Sequence, residues 1–267
     1  MKKIERQLLY LITIAGSAKT SDLITVLSTI GTTESYVRIN LANLKRDNYI
    51  EQPKRGTYQG SEMAITYINE LTNKFERNRK KGDTSFTLVT TQFTDANRQT
   101  RNHVRQYLNK IGFGQMQNGI YIAPYNRLAD IEYLVSEYKL DENMQAYLVG
   151  ETYPRITPAV ADDVWNLTEV NQEIKKIQKW QEEFLIPKVQ NATTNLELLA
   201  CYLELIDAVS EIYVLDPMLP ENLLNSAWVG TQTLIDLVKT GITIVSKVDS
   251  KKEFTQFFDY SILKYKK

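Results

Sequence analysis

A chain of 267 residues with 43% hydrophobic and 24% charged residues has the composition of a folded protein and the length for two or three domains. Lys+Arg and Asp+Glu balance at 32 each, the single cysteine excludes an intrachain disulfide, and a single histidine leaves too few soft ligands for a zinc site. No apolar run approaches the ~20 residues that span a bilayer. Glu5 and Arg6 stand where a signal peptide needs its apolar core, so the expectation is a cytoplasmic protein with no membrane partner. The zero net charge hides an asymmetry: residues 1–82 hold 14 basic against 8 acidic side chains, and the remainder 18 against 24. Such a split suggests that one end meets nucleic acid.

The first predicted helix, Lys3–Ala15, aligns Ile4, Leu8, Leu11, Ile12 and Ala15 on one face and stops at Gly16. A second is expected from a Thr20 or Ser21 cap, burying Leu23, Val26, Leu27 and Ile30. After Gly31 comes a third, Thr33–Arg46, capped by Thr32 or Thr33 with Glu34 in its first turn. Its apolar stripe is Val37, Leu41 and Leu44; the opposite side carries Ser35, Arg38, Asn43 and Arg46, a polar and cationic set suited to a groove. Two short strand candidates then flank a Pro53-Lys54-Arg55-Gly56 turn. Three helices and a basic hairpin predict a winged helix-turn-helix, with a helix for the major groove and a wing for phosphate. A connecting helix over Ser61–Lys81, ending in the charged run Glu76–Gly82, marks a domain boundary.

From Thr84 the pattern changes. Ser85–Phe93 alternates as a strand, and a helix over Asp95–Ile111 turns Val104, Leu108 and Ile111 inward. A hairpin turns at Gln117-Asn118 into Gly119, a helix covers Arg127–Tyr138, and a strand covers Met144–Gly150. The order βαββαβ is that of a ferredoxin-like domain. Beyond Pro154 and Pro158 the chain reads as helical, with amphipathic stretches at Leu167–Phe184, Thr194–Val214 and Thr231–Ile244 and a Pro-bounded connection at Asp216–Pro220. The expected fold class is therefore α+β and multidomain: winged helix over 1–82, ferredoxin-like domain over 83–153, helical C-terminal domain over 154–267.

Catalytic chemistry has little to stand on. Cys201 sits in an apolar run and reads as a buried structural thiol; His103 reads as a solvated surface histidine. No Ser-His-Asp set, glycine-rich phosphate loop or ligand-spaced carboxylate cluster appears. The expectation is no enzyme, no cofactor and no metal.

Several separated blocks carry a resemblance. They are Gly31, Tyr36-Val37-Arg38, Leu41, Leu44, Tyr49-Ile50 and Arg55-Gly56-Thr57-Tyr58; then Arg101, Arg105, Leu108, Gly112-Phe113-Gly114 and Gly119–Pro124. Later come Asp163–Leu167, then Asp216-Pro217-Met218-Leu219-Pro220 through Leu224 to Trp228-Val229-Gly230. In this ordered combination the chain resembles the PaaX family of bacterial transcriptional repressors over nearly its whole length. The resemblance implies an N-terminal winged helix, a middle domain similar to the CRISPR-associated small nuclease subunit, and a helical C-terminal domain. It further implies a homodimeric repressor of aromatic-acid catabolic operons, such as that for phenylacetate, released from DNA by phenylacetyl-CoA. The family has a histidine and an Arg-rich stretch before the Asp-Pro pair, whereas this chain reads Asp207–Leu215, acidic and apolar. Asp207, Glu211 and Asp216 would repel a polyphosphate thioester, which points to a different small-molecule effector.

The expected partners are thus a double-stranded DNA operator, a second copy of the chain and an effector. For DNA the candidate residues are Ser35, Tyr36, Ile39 and Asn43 at base edges and Arg38, Arg46, Lys54 and Arg55 at phosphates. Tyr36 can instead pack within the domain, and Ile39 can extend its core. Trp165, Asp216, Pro217 and Trp228 mark the effector or interface region, where the tryptophans fit a core or dimer contact better than a ligand stack. Two rival readings remain: a metal-dependent nuclease built on the middle domain, in which Asp95 would be needed, and a winged helix used only for protein contacts.

Overall fold

The computed structural model describes residues 1–68, 85–94, 97–150, 152–153 and 155–265. The fold is α+β, with two antiparallel sheets among many helices. The chain divides into two compact units: Met1–Asn73 with Lys175–Ile212 and Thr231–Lys267, and Lys74–Ile174 with Tyr213–Gly230.

In the first unit, α1 (Lys3–Ile14), α2 (Thr20–Ser28) and α3 (Glu34–Arg46) precede a hairpin of β2 (Ile50–Lys54) and β3 (Thr57–Gly60). The predicted stripes do meet: Leu8, Leu11, Ile12, Leu23, Val26, Leu27, Val37 and Leu41 are all buried. One strand escapes sequence reading. β1 (Ser17–Lys19) pairs with β3, Ala18 opposite Tyr58, and makes a sheet of order β1-β3-β2. The residue preceding α2 is Lys19, not Thr20 or Ser21: Thr20 is already helical, and its hydroxyl donates to Gly56 O at 3.2 Å. Ile30 lies beyond the end of α2 and is only half-buried. Helix α4 covers 62–68, including Ile65 and Ile68; the rest of the predicted connecting helix and the Glu76–Gly82 run lie outside the described residues.

The C-terminal helices of this unit pack around α10 (Asn195–Leu215) and α11 (Gly230–Ser246). The predicted Leu167–Phe184 stripe is α8 (Leu167–Trp180), which belongs to this unit from Lys175 onward, followed by a π turn over Gln181–Leu185 and then α9 (Ile186–Asn191). Pro187 explains the π turn: it has no N–H to donate and its ring crowds the carbonyl four residues back. Gln181 Nε2 donates to Thr240 Oγ1 at 2.9 Å, and Lys188 pairs with Glu204 at 2.8 Å. Tyr202 is fully buried against Tyr10 (centroids 6.1 Å apart) and Phe258 (5.5 Å), and burial pushes its phenol up to about 12.

A buried carboxylate ties α1 to α10. Asp207 Oδ2 accepts from Gln7 Nε2 at 2.6 Å and lies 3.2 Å from Lys3 Nζ, while Oδ1 is 3.6 Å from Arg6 Nη2. Burial pushes the Asp207 carboxyl above its usual range, and Lys3, Arg6 and Gln7 oppose that rise. Lys3, Arg6 and Gln7 fall on one side of α1 because i, i+3 and i+4 are neighbours on a helix.

The second unit holds β4 (Phe86–Thr91), α5 (Arg98–Lys110), β5 (Gly114–Gln117), β6 (Ile120–Pro124), α6 (Leu128–Tyr138) and β7 (Met144–Val149). The strands order β5-β6-β4-β7, all antiparallel, with Gly119 at φ +77° turning the β5–β6 hairpin. Alternation gives the sheet two apolar faces. Val89, Tyr121, Ala123 and Met144 pack with Val104 and Leu108 of α5 and Ile131 and Leu134 of α6. Ile122 joins Ala161, Trp165, Leu167, Leu219 and Leu223 on the other, with Phe86 and Leu88 against them. Thr87 is a satisfied polar exception, donating to Tyr125 O at 2.9 Å and accepting from Arg127 N at 2.8 Å.

Replacing Asp207 by alanine strands Gln7 and the two cations. The expected loss is about 1.5–3 kcal/mol, the range for a hydrogen bond to a charged group. Urea titration checks it, and an unchanged midpoint would contradict the anchoring role.

Candidate nucleic-acid interface

Helix α3 begins as its sequence predicts. Thr33 is the N-cap, its Oγ1 accepting from Tyr36 N at 3.4 Å, and Glu34 sits in the first turn with Lys45 and Arg46 in the last. Both charge placements complement the helix dipole. The buried stripe contains one residue the apolar pattern cannot show: Asn40 is fully buried, donates from Nδ2 to Tyr36 O at 2.7 Å, and leaves Oδ1 without a partner.

The other side of α3 is open. Ser35, Arg38 and Arg46 are exposed, Asn43 is half-buried, and Tyr36 and Ile39 are 43% and 56% exposed. Ile39 therefore does not extend the core, and Tyr36 is not packed away. A mid-helix isoleucine more than half exposed among polar residues suits a surface that becomes covered.

The cations sort into two classes. Arg38 is held by Glu34 one turn earlier, with Nη2 and Nε at 2.7 and 2.8 Å from Oε1. Arg46 grips Asp47 through Nε at 2.9 Å and Nη2 at 3.3 Å, which raises the guanidinium pKa and lowers that of the carboxyl. Solvent screening leaves exposed pairs of this kind weak, so either arginine can be drawn to a stronger anion. Lys54 and Arg55 are exposed at the hairpin turn and form no ion pair among the described residues. Their position is fixed from two sides. Gly56, at φ +75°, gives its carbonyl to both the backbone N–H (2.9 Å) and the hydroxyl of Thr20, and Lys45 Nζ of α3 donates to Gln52 Oε1 of β2 at 3.1 Å.

The second unit contains the other marked residues. Trp165, at the end of α7 (Pro158–Trp165), is buried and donates from Nε1 to Gly112 O at 3.0 Å. A Cβ on Gly114 would fall 2.5 Å from Val164 Cγ1 and 2.9 Å from Trp165 Cδ2, which is why glycine stands there. Asp216 is buried and accepts from Met218 N at 2.7 Å, while the Pro217 carbonyl backs onto Gly112. Trp228 packs against the same apolar cluster with its Nε1 buried and unpartnered, and Asn171 clamps the turn through Ala227 O and Val229 N. Asp207 and Asp216 thus both have internal partners. Glu211, the third acidic residue of this stretch, is exposed.

Residues 79–159 match the family model described as the PaaX protein central Cas2-like domain, and residues 165–239 match that of the PaaX-like protein C-terminal domain. Together the two models cover more than half of the chain. The chain belongs to the PaaX family. The transcriptional repressor PaaX of Escherichia coli (strain K12) is 24% identical over 226 residues, 80% of this chain and 70% of that protein. The fold is also similar to that of the uncharacterized protein Rv0674 from Mycobacterium tuberculosis, with a TM-score of 0.53 and 15% identity over 86% of this chain and 91% of the other.

In this PaaX-family chain the remaining chemistry-bearing residues have ordinary roles. Cys201 is fully buried, and burial pushes its thiol up. His103 is exposed but not alone: a ring nitrogen is 2.8 Å from Tyr138 Oη. Among the described residues no group of three or more His, Cys, Asp or Glu could hold a metal, and no helix is long and apolar enough to cross a membrane. Asp95, required by the nuclease reading, lies outside the described residues. The cap on α3 can be tested directly. Thr33→Ala should cost about 0.5–1 kcal/mol of stability in chemical denaturation, the low end for a cap because its bond is long; no loss would remove Thr33 from the account of why α3 starts where it does.

Proposed function

We propose that this chain is a DNA-binding transcriptional regulator that reads duplex DNA with α3 and steadies it with the β2–β3 hairpin. The observation that carries this reading is the open face of α3, Ser35, Tyr36, Ile39 and Asn43, beside a hairpin whose Lys54 and Arg55 form no ion pair among the described residues. The element order α1-β1-α2-α3-β2-β3 is that of a winged helix, in which the third helix enters the major groove. In that placement Asn43 can pair with adenine and Ile39 can meet a thymine methyl, while the hairpin cations touch phosphate. The name of the E. coli relative supports repression as the regulatory sense.

Three finer points belong to the same proposal. The βαββαβ unit of order β5-β6-β4-β7 is read as a ferredoxin-like domain, in line with the Cas2-like family model. The active form is read as a homodimer on half-sites roughly 34 Å apart, one helical turn, or a multiple of it. Release by a small-molecule effector follows the family resemblance, and because Asp207 and Asp216 are internally partnered, acyl-CoA thioesters stay among the effectors to be tried.

Duplex binding by the full-length protein, followed by fluorescence anisotropy against salt, tests the reading. Lys54→Ala with Arg55→Ala should weaken binding to all duplexes alike and flatten the salt dependence by about two units, one for each phosphate lost. Binding that survives with the same slope would remove the hairpin from the interface; no duplex binding by the wild type would remove the function.

A further inference from the structure

The strongest unpaired positive charge among the described residues of the second unit lies on α5. Residues 96–129 contain five basic side chains, among them Arg98, Arg101 and Arg105, and not one aspartate or glutamate, in a chain whose two signs balance overall. Three of these recur at i, i+3 and i+7: Arg98, Arg101 and Arg105 form one stripe along the helix. Val104 and Leu108 bury another face against the sheet, and His103 turns to Tyr138 of α6. At about 100° per residue the arginine stripe lies on the flank away from α6. Arg105 and Arg101 both hold down the Tyr121 phenol against the rise that burial causes, which places them on one side. Arg98 and Arg105 are exposed, Arg101 is half-buried, and none of the three forms an ion pair among the described residues.

Local physics opposes this arrangement. Arg98 is the first residue of α5 and Arg101 the fourth, so two cations face the positive end of the helix dipole. No acidic residue stands in the first turn, and Asn97 makes no side-chain cap bond there. Like charges one turn apart also repel. A local rule broken with no ion-pair partner among the described residues points to an external one. On α3, by contrast, Arg38 and Arg46 each have a carboxylate.

We propose that Arg98, Arg101 and Arg105 form a second DNA-backbone contact, separate from the α3 reader and carrying no sequence preference. Arg98 to Arg105 covers about 10 Å of helix axis, the axial length of about three phosphates of one strand. A straight row on a convex helix suits an extended polyanion better than a compact phosphate ligand. The proposal rests on the DNA-binding reading above.

The test is duplex binding by the full-length Arg98→Ala/Arg101→Ala/Arg105→Ala variant across a range of salt. Its salt dependence should be shallower than that of the wild type by about two to three units, and its affinity at low salt lower by more than about tenfold. Its melting temperature should not fall, since the cations oppose the dipole. The triple Arg→Lys variant should keep the wild-type slope. An unchanged slope in the alanine variant overturns the proposal while leaving the α3 reader intact. A Lys variant as weak as the alanine one, with a lowered melting temperature, assigns the arginines a packing role and overturns it too. So does stabilisation of the wild type, but not the variant, by ADP, which would assign the stripe to a small phosphate ligand. Failure of the wild type to bind duplex at all contradicts both this proposal and the functional reading.

Discussion

The clasp of α1 on Asp207 is the constraint on which the first unit depends. A carboxylate drawn out of water is costly unless it is charge-paired and hydrogen-bonded. Here Lys3, Arg6 and Gln7 all come from one short helix 200 or more residues earlier in the chain. The apolar faces of α1 and α10 would tolerate sliding past one another, because burial is not directional. The Gln7–Asp207 bond fixes a single register. Since α1 also packs on α3 and β3, the clasp connects the helical C-terminal segment with the elements that carry Ser35, Ile39, Lys54 and Arg55. Asp207 is therefore a structural anchor.

On the proposed reader, attraction and discrimination fall to different residues. The arginines on α3 are weakly paired with Glu34 and Asp47, and Ile39, Tyr36 and Ser35 stand out from the helix. Lys54 and Arg55 on the hairpin turn, and the three arginines of α5, form no ion pair among the described residues. Phosphate contacts supply affinity without sequence information, and base-edge contacts supply the reverse. On the proposed reading, a helix whose arginines are already paired would hold arbitrary DNA less tightly, which would favour the specificity ratio.

Much of this was legible in the sequence where the signal is local. The α3 stripe, its Thr33 cap, the hairpin turn at Gly56 and the alternation of β4 all follow from spacing and turn chemistry within a dozen residues. The Glu34–Arg38 pair was equally legible from its i, i+4 spacing, yet Arg38 read as free for phosphate. What stayed hidden depends on distant partners. β1 has three residues and exists only because β3 lies beside it. Asn40 carries no apolar signal, yet it is buried. Lys19 rather than Thr20 precedes α2 because the Thr20 hydroxyl is occupied by Gly56 O. Nothing near Asp207 in sequence announces Lys3, Arg6 and Gln7, and nothing in residues 247–265 announces that Phe257 and Phe258 plug the first unit.

The central claim is that the open face of α3 reads bases. Selection of tight binders from a pool of random duplexes tests it most directly, with the wild type and the Ile39→Asn variant run in parallel. The account predicts a recurrent motif for the wild type and a motif altered at one position for the variant, each with the same salt dependence. No enriched motif, or the same motif from both proteins, would contradict it.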